Sequence, residues 1–338
     1  MAFRFYAILL ISIFFSLLTQ AQVKIYVLRP TNDHLEYLIP VRDYHKPIDE
    51  LNEYKNKIRN NPKLSDVFTQ KQLEQFLPGQ LHEFKNLPSQ KTNVLILANR
   101  GYDFDAIQNI EAKNRIQKLK EKIGVDAKIY ILPIANSLVL NQSETEFYHK
   151  KIGEQFSGVI ALGGADINPE IYNEKITTSR DVNPERDFYE IQFLKNWINN
   201  KKGFLFGICR GHQLISAALG FKLIQHIENH GDGVWQNHPI KLLRTSSNIM
   251  NQIFGKNKNN ITVNSYHHQA VIYTPNNYIE LAATSIDGTV EALASRDSRI
   301  FTTQFHPEFI DNSVSKNIFD YLKLQLNKFK PKSCKNLF

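Results

Sequence analysis

GFLFGICRGHQ, residues 203–213, is the stretch that decides the fold of this chain. It is an apolar strand that runs directly into a helix ending at Gly220, and Cys209 stands at the junction. On such a sharp turn, the residues two positions before and after the nucleophile must have small side chains. Both of these positions, 207 and 211, are glycine. The start of the helix lends partial positive charge, which favours the reactive thiolate. The alternative is a small buried cysteine in a glycine-rich packing turn.

Apolar runs and helical segments alternate from residue 91 to this turn. The runs lack a period of two, which is typical of strands covered on both faces, so we predict a mainly parallel sheet with helices on both faces. Beyond residue 220, shorter strands separated by turns indicate an antiparallel or mixed region, followed by a last helix at 313–326. The elements predicted before the cysteine are strands at 94–98, 127–132, 159–162 and 203–208, and helices at 107–123 and 188–198.

The composition excludes several classes of protein. A chain of 338 residues with 42% apolar side chains can bury a large core. The net charge of +8 is spread thinly and forms no basic stripe with interleaved aromatic residues, so we expect no nucleic-acid partner. The only two cysteines are Cys209 and Cys334, and the second lies in a Lys-rich tail, so we expect a free thiol at Cys209 rather than a disulfide framework.

The first 21 residues have the pattern of a signal peptide. Arg4 precedes an apolar run from residue 6 to residue 18, and the small side chain of Ala21 marks the expected cleavage site. The run is shorter than the roughly 20 apolar residues of an anchor helix, which favours cleavage over an uncleaved anchor. We therefore expect a periplasmic or secreted protein without a stable membrane span after cleavage.

Residues 22–90 form an N-terminal extension of unknown role. They start with a short strand at 23–28, and residues 47–87 then carry helical spacing broken by Pro62 and Pro78. We expect a small, mostly helical segment that caps or docks against the domain at 91–328. A basic tail at 329–338 ends the chain.

A second reactive group lies near the end of the domain, where a predicted strand at 300–305 leads into His306-Pro307-Glu308. Proline forces the preceding histidine into an extended conformation, and alternation then puts His306 and Glu308 on the same side. A carboxylate beside an imidazole selects its tautomer and stabilises the imidazolium. Together with Cys209, these residues make a candidate catalytic triad. A His-Pro-Glu turn by itself could equally be structural.

Two polar segments complete the candidate site. Gly163 and Gly164 follow the strand at 159–162, where backbone N–H groups could face a developing oxyanion, although a tight turn is the commoner use of a glycine pair. The segment at 264–269, NSYHHQ, could contact substrate or form a solvated loop. A metal site is not expected there, because adjacent histidines of an extended chain point to opposite faces and no third ligand is suitably spaced.

These residues together resemble the class I glutamine amidotransferase-like superfamily. Within it, the chain is similar to the γ-glutamyl-γ-aminobutyrate hydrolase group of cysteine peptidases, peptidase family C26, which is related to the γ-glutamyl hydrolases. The resemblance covers about residues 91–328. It rests on an ordered series of motifs: GGADINP at 163–169, RDFYE at 186–190, GICRGHQ at 207–213, NSYHHQA at 264–270, DGTVEA at 287–292 and QFHPE at 304–308.

The resemblance implies a flavodoxin-like α/β fold in which Cys209 attacks a γ-glutamyl amide and forms a glutamyl thioester that water hydrolyses. His306 would be the acid and base, and Glu308 its partner. Backbone N–H groups of Gly164 and Arg210 would form the oxyanion hole. No cofactor is called for, since the thiolate and the proton shuttle supply the chemistry. The residues expected near the glutamyl head are Gln213, Asn264, Ser265, His267 and His268.

Alternative functions remain open at this stage. The substrate could be a small γ-glutamyl compound or peptide, a folylpolyglutamate or a γ-linked cell-wall fragment. A catalytically silent binding protein that uses its N-terminal extension for interaction is the alternative from another class, and the intact triad counts against it. Expected export and the lack of a synthetase domain argue against a glutaminase subunit. Self-association into a homodimer stays open.

Overall fold

The computed structural model of the protein describes residues 23–29, 35–61, 77–85, 92–97, 106–124, 126–200 and 203–331. The expected signal peptide, Cys334 and the tail beyond residue 331 lie outside the described residues. Within the described part, no helix is both long enough and apolar enough to cross a bilayer.

Twelve described strands form one sheet, in the order β10-β9-β12-β13-β14-β7-β6-β4-β5-β2-β1-β3, and β8 pairs with β11 in a small second sheet. The strands are β1 Val23–Leu28, β2 Tyr37–Arg42, β3 Leu81–Glu83, β4 Thr92–Leu97, β5 Ala127–Ile131, β6 Gly158–Ala161, β7 Phe204–Ile208, β8 Lys222–Ile224, β9 Gln236–Leu242, β10 Asn260–Ser265, β11 Ala270–Ile272, β12 Ile279–Ser285, β13 Val290–Ser295 and β14 Ile300–Thr303.

The centre of the sheet is parallel and both flanks are antiparallel. Strands β14, β7, β6, β4, β5 and β2 run parallel to their neighbours in that series. Every residue of β4, β6 and β7 is buried, as in strands covered on both faces. The structure therefore confirms the predicted α/β fold with a mainly parallel central sheet and a mixed region after it.

Two groups of helices pack on this sheet. Helices α3, α4 and α5 contact one another in series, and α5 lies on β6, β7 and β14. Helix α7 contacts α2 and α6 and lies on β4 and β7. The helices are α1 Pro47–Arg59, α2 Ala106–Ile123, α3 Gln142–Gln155, α4 Pro184–Asn199, α5 Arg210–Ala218, α6 Ile249–Phe254 and α7 Ser313–Lys328.

The described part of the N-terminal extension continues the sheet. Its described residues contain three strands and the helix α1, and β2 pairs in parallel with β5, so the expected boundary near residue 90 falls inside one sheet. Strand β2 lacks a period-two pattern because both of its faces are covered: almost all of its residues are buried, and α1 packs on it. Arg42 at its end bonds Glu50 of α1 and Glu144 of α3, which ties the extension to the domain.

Topology brings the predicted site residues to one edge of the sheet. Strands β6, β7 and β14 are adjacent and parallel, so their carboxyl ends meet at the same edge. Gly163 follows β6, Cys209 follows β7 and His306 follows β14. The Cys209 N–H donates to the carbonyl of Thr303, the last residue of β14, at 2.8 Å, which joins two of these ends directly.

Candidate active site

Cys209 occupies a strained turn between β7 and α5. Its φ of 52° and ψ of −108° lie outside the regions that non-glycine residues favour. A Cβ at Gly207 would approach the Gly211 carbonyl oxygen to 2.7 Å, and a Cβ at Gly211 would overlap the Ala161 carbonyl oxygen. Both positions therefore require glycine, and the predicted nucleophile-elbow geometry is present.

His306 and Glu308 meet in the short turn that follows β14. The Nδ1 atom of His306 lies 2.8 Å from Oε1 of Glu308, and both side chains are buried. The contact does not arise from the alternation of an extended chain, as the sequence suggested. Strand β14 ends at Thr303, and Pro307–Phe309 forms a 3-10 turn that curls the carboxylate back onto the imidazole.

The imidazole of His306 and the Cys209 side chain line the same small space and interact electrostatically. Burial lowers the pKa of His306, but the charges of Glu308 and Cys209 raise it more, and the net result is a pKa of about 10. At neutral pH the histidine is therefore protonated. Gly163 makes room for this pair, because a Cβ there would lie 2.8 Å from Cε1 of His306.

The two residues predicted to supply oxyanion donors lie next to each other. A Cβ at Gly164 would lie 3.2 Å from Cδ of Arg210, and Arg210 begins α5, so no intrahelical carbonyl accepts its N–H. The Arg210 side chain points away into a buried ion-pair network with Asp187 and Glu190. Burial lowers the pKa of Arg210, yet the two carboxylates hold it above its ordinary value.

The same network joins Gly164 to α4. Arg186 bonds Glu190 at 2.9 Å and lies 3.4 Å from where a Gly164 Cβ would be. Asp187 accepts a hydrogen bond from the Asn168 backbone N–H at 2.8 Å, which fixes the loop that follows Gly164. The RDFYE motif therefore supports the loop and the helix start that flank Cys209.

The predicted substrate-binding residues fall into different environments. Gln213 lines the space beside Cys209, and its amide donates to Gln269 O and Gln304 Oε1, each at 3.2 Å. Asn264 clamps the backbone of His306: it donates to the His306 carbonyl and accepts from its N–H, both at 2.9 Å. Ser265 is buried and donates to the His230 carbonyl, so it does not face the cysteine.

His267 and His268 point in different directions, as predicted for neighbours on an extended chain. Both residues line the space beside Cys209. His268 Nε2 lies 3.0 Å from Asp166 Oδ2, and its Nδ1 faces His226. His267 turns its Nε2 towards buried Glu291.

Two neighbouring cavities lie at the site, and Cys209 lines the smaller one. The smaller part, about 130 Å³, is lined by Gly164, Asp166, Cys209, Gln213, Asp232, Gln269 and His306, among others. The larger part, about 520 Å³, is lined by Asn114, Arg115, Trp235, Gln236, Asn237, Asn264, Tyr266 and Phe309. Arg115 and Tyr266 line both parts.

Comparison with known proteins identifies this arrangement. The model of the peptidase C26 family matches residues 113–308, which is more than half of the chain. The chain belongs to the peptidase C26 family. Its fold and motifs place it within the class I glutamine amidotransferase-like superfamily, as the sequence predicted, and the family indicates amide hydrolysis or glutamine amidotransfer as the class of reaction.

Individual relatives agree with this family. The protein NtpR of Enterococcus hirae is 30% identical over 184 residues, which are 50% of this chain and 74% of that protein. The glutamine amidotransferase-like protein YvdE of Lactococcus lactis is 29% identical over 161 residues, 44% of this chain and 65% of its own length. The glutaminase domain of Trypanosoma brucei CTPS, solved with bound acivicin, has 14% identity and a TM-score of 0.50 over 71% of this chain and 95% of that chain, and shows the same fold.

Two residues of this C26 site were not identified from the sequence. Trp235 stacks on Tyr266 with ring centroids 4.8 Å apart and meets His306 edge to face at 5.4 Å. Trp235 is one of only two tryptophans in the chain, and this rarity is a signal in the sequence that could have identified it as a candidate site residue. Arg115 reaches within 3.6 Å of where a Gly163 Cβ would be, but one arginine in a Lys-rich helix carries no such signal.

Proposed function

We propose that this protein hydrolyses the γ-glutamyl amide bond of a small γ-glutamyl compound or peptide. The Cys209 thiolate attacks the amide carbonyl, and the oxyanion forms near the backbone N–H groups of Gly164 and Arg210. His306 gives its proton to the leaving amine, which departs and leaves a glutamyl thioester. Water then attacks the thioester, His306 takes a proton from it, and glutamate and the free thiol are released.

One observation carries the proposal: Cys209, on its elbow, shares a small space with an imidazole that is itself held by a buried carboxylate. Such a chain of nucleophile, base and orienting acid is the signature of acyl-transfer chemistry through a covalent intermediate. The His306 pKa of about 10 keeps the imidazole charged at neutral pH, so it can stabilise a thiolate and then protonate a leaving group.

The two neighbouring cavities support an amide with a small acyl group and a larger leaving group. The part beside Cys209 is smaller than a typical ligand pocket, which suits an acyl group of amino-acid size. Asp166, which already pairs with His268, and Arg115 place one acidic and one basic group on the walls, the charges that suit the α-ammonium and α-carboxylate of a glutamyl group. The larger part, with Trp235 and Phe309 on its walls, has room for an amine or peptide leaving group.

A substrate panel with two cysteine variants tests the proposal. The full chain is incubated with γ-glutamyl-4-aminobutyrate, γ-glutamyl dipeptides, glutamine and a folylpolyglutamate, and released glutamate is measured. We expect turnover of at least one γ-linked substrate, a loss of at least about 10³-fold in Cys209→Ala and wild-type activity in Cys334→Ala.

Three outcomes would reject the proposal. Equal activity in Cys209→Ala and wild type would show that Cys209 is not the nucleophile. Calorimetric binding of γ-glutamyl compounds without turnover by the wild type would establish the silent binding protein instead. Turnover of glutamine alone would leave a simple glutaminase.

A further inference from the structure

Four side chains from separate parts of the chain converge beside the active-site loop. His230 precedes β9, His238 lies in β9, His267 follows β10 and Glu291 lies in β13. Glu291 Oε1 lies 3.7 Å from His230 Nδ1, 3.3 Å from His238 Nε2 and 3.8 Å from His267 Nε2. We call these four residues the His3Glu cluster.

The Glu291 oxygen lies beyond ordinary hydrogen-bond distance from the three nitrogens, and the ligand atoms of His230, His238 and Glu291 all lie within 4.8 Å of one another, with His267 at the edge of this group. Hydrogen bonds between nitrogen and oxygen cluster near 2.7–3.2 Å. Ligand atoms at about 2.0–2.1 Å from a tetrahedral zinc ion lie about 3.3–3.4 Å from one another. The four facing atoms and the second oxygen of Glu291 are buried, and none has a hydrogen-bond partner among the described residues.

The outer contacts of two histidines fix which nitrogen faces the cluster. His230 Nε2 lies 2.8 Å from Asp287 Oδ2, and His267 Nδ1 lies 3.0 Å from the Gln269 carbonyl oxygen. Each of these nitrogens must donate its proton outward, because its partner can only accept. When these rings are neutral, the nitrogens that face Glu291 carry lone pairs instead of protons. Hydrogen-bond acceptors then point at a buried carboxylate, which is itself an acceptor. A cation between them removes this conflict.

We propose that the His3Glu cluster binds one divalent metal ion of the zinc type. Three imidazole nitrogens and one carboxylate oxygen are a ligand set that zinc favours, whereas magnesium and calcium prefer sites made of oxygen ligands. Outward hydrogen bonds to a carboxylate and a carbonyl are the usual second shell of zinc-bound histidines. The proposal does not depend on the substrate or reaction of Cys209.

The site would be structural, with His230, His238 and Glu291 holding the ion and His267 completing a tetrahedral shell. It would join the loop before β9, the segment after β10 and strand β13. His267 directly follows Tyr266, whose carbonyl oxygen lies 4.0 Å from Cys209 Sγ, so the ion would hold one wall of the catalytic space in place. The sequence showed no third ligand for His267 because the other ligands lie far away along the chain. The nearer of the two other histidines, His238, is 29 residues before it (267 − 238), and Glu291 is 24 residues after it (291 − 267).

Two other groups in the described part of the chain could hold a metal but have less support. One contains His226, Asp232 and His268, and the other His45, Glu50 and Glu53. In the first, Asp232 is paired with Arg180 and His268 with Asp166. In the second, Glu50 is paired with Arg42 and His45. Their ligand atoms already have protein partners.

Metal binding by the untagged full-length protein tests the proposal. The chain is stripped with a chelator, dialysed, titrated with zinc against a chromogenic chelator and analysed by mass spectrometry for bound metal. We expect one zinc ion per chain, a rise in melting temperature on addition of zinc, and the intense visible bands of four-coordinate cobalt when cobalt replaces zinc.

Variants locate the site. Glu291→Gln and His230→Ala should lose stoichiometric zinc, while His82→Ala, a change of an exposed histidine on β3, should retain it. Asp287→Asn should still bind zinc, but about 10- to 100-fold more weakly, because it removes only an outer contact. Asp287 is more than half exposed, so this variant should fold even if the buried substitutions do not.

Several results would overturn the assignment. A stripped wild-type chain that takes up no zinc at saturating concentration would do so. Zinc retained with wild-type affinity by Asp287→Asn and by a folded Glu291→Gln would also do so. Loss of zinc in His226→Ala would place the ion in the other histidine group.

Discussion

Replacement of Glu308 by glutamine separates the charge of the third triad member from its shape. The wild-type carboxylate bonds His306 Nδ1 at 2.8 Å, and its side chain is fully buried. Glutamine keeps an oxygen that can accept the same hydrogen bond, so the imidazole can hold its orientation. What disappears is the negative charge that stabilises the imidazolium.

The magnitude follows from the type of bond that is weakened. A hydrogen bond to a charged group contributes about 1.5–3 kcal/mol, and each 1.36 kcal/mol changes a rate tenfold. The neutral bond that glutamine keeps contributes about 0.5–1.5 kcal/mol, so about 1–1.5 kcal/mol is lost and we expect Glu308→Gln to lower kcat by about 5- to 13-fold. KM should change little, because no substrate contact is removed. A chromogenic γ-glutamyl anilide gives both constants, and Glu154→Gln, an exposed change on α3, is the matched control.

The same variant should change the pH dependence of stability. Because the folded pKa of His306, about 10, lies above the ordinary value of 6.5, its contribution to stability is fully present below about pH 6.5. This contribution is lost as the pH rises through about 10. Removing the Glu308 charge lowers the folded pKa, so denaturant titrations between pH 7 and pH 10 should show a smaller loss of unfolding free energy in Glu308→Gln than in wild type.

A single result would refute this reasoning. If Glu308→Gln turned over the anilide within twofold of wild type, with an unchanged pH profile of unfolding, the carboxylate would not stabilise the imidazolium. Glu308 would then be a structural residue of the turn after β14.

Three further changes test other parts of the structure. Gly211→Ala should cost at least about 3 kcal/mol of unfolding free energy because its Cβ overlaps a backbone carbonyl, whereas Gly79→Ala, whose Cβ meets nothing within 4 Å, should melt within a degree or two of wild type. Asn264→Ala leaves two buried backbone groups unpaired, so we expect a loss of about 2 kcal/mol or more in denaturant titrations and a lower kcat; unchanged kinetics would contradict its positioning role. Mass spectrometry of the exported protein should find Gln22 at the N-terminus after cleavage at Ala21, and an intact first residue in the exported fraction would contradict the signal peptide.

The sequence predicted the catalytic edge of the fold because the signals there are local. Glycines at 207 and 211 specify the turn around Cys209, and proline at 307 specifies a break after His306. The parallel centre of the sheet could be predicted for a similar reason, since buried strands such as β6 and β7 are continuous apolar runs.

The parts that were missed depend on contacts between distant residues. Strand β2 has no alternating pattern, because layers such as α1 that come from elsewhere in the chain cover its faces. The role of Asn264 as a clamp requires knowing that His306 lies beside it, 42 residues along the chain. Pairing of this kind leaves no mark in local spacing, so the sequence suggested substrate contact for a residue that holds the catalytic histidine.

Because the sheet continues into the N-terminal extension, the starting residue of an expressed fragment of this protein matters. The family match begins at residue 113, inside α2, and therefore omits β4 from the middle of the sheet as well as β1, β2 and β3 from its end. A fragment cut at that limit would expose unpaired strand edges, which readily join other chains. An expression unit that keeps the whole described sheet starts at β1 and is longer than the segment matched by the family model.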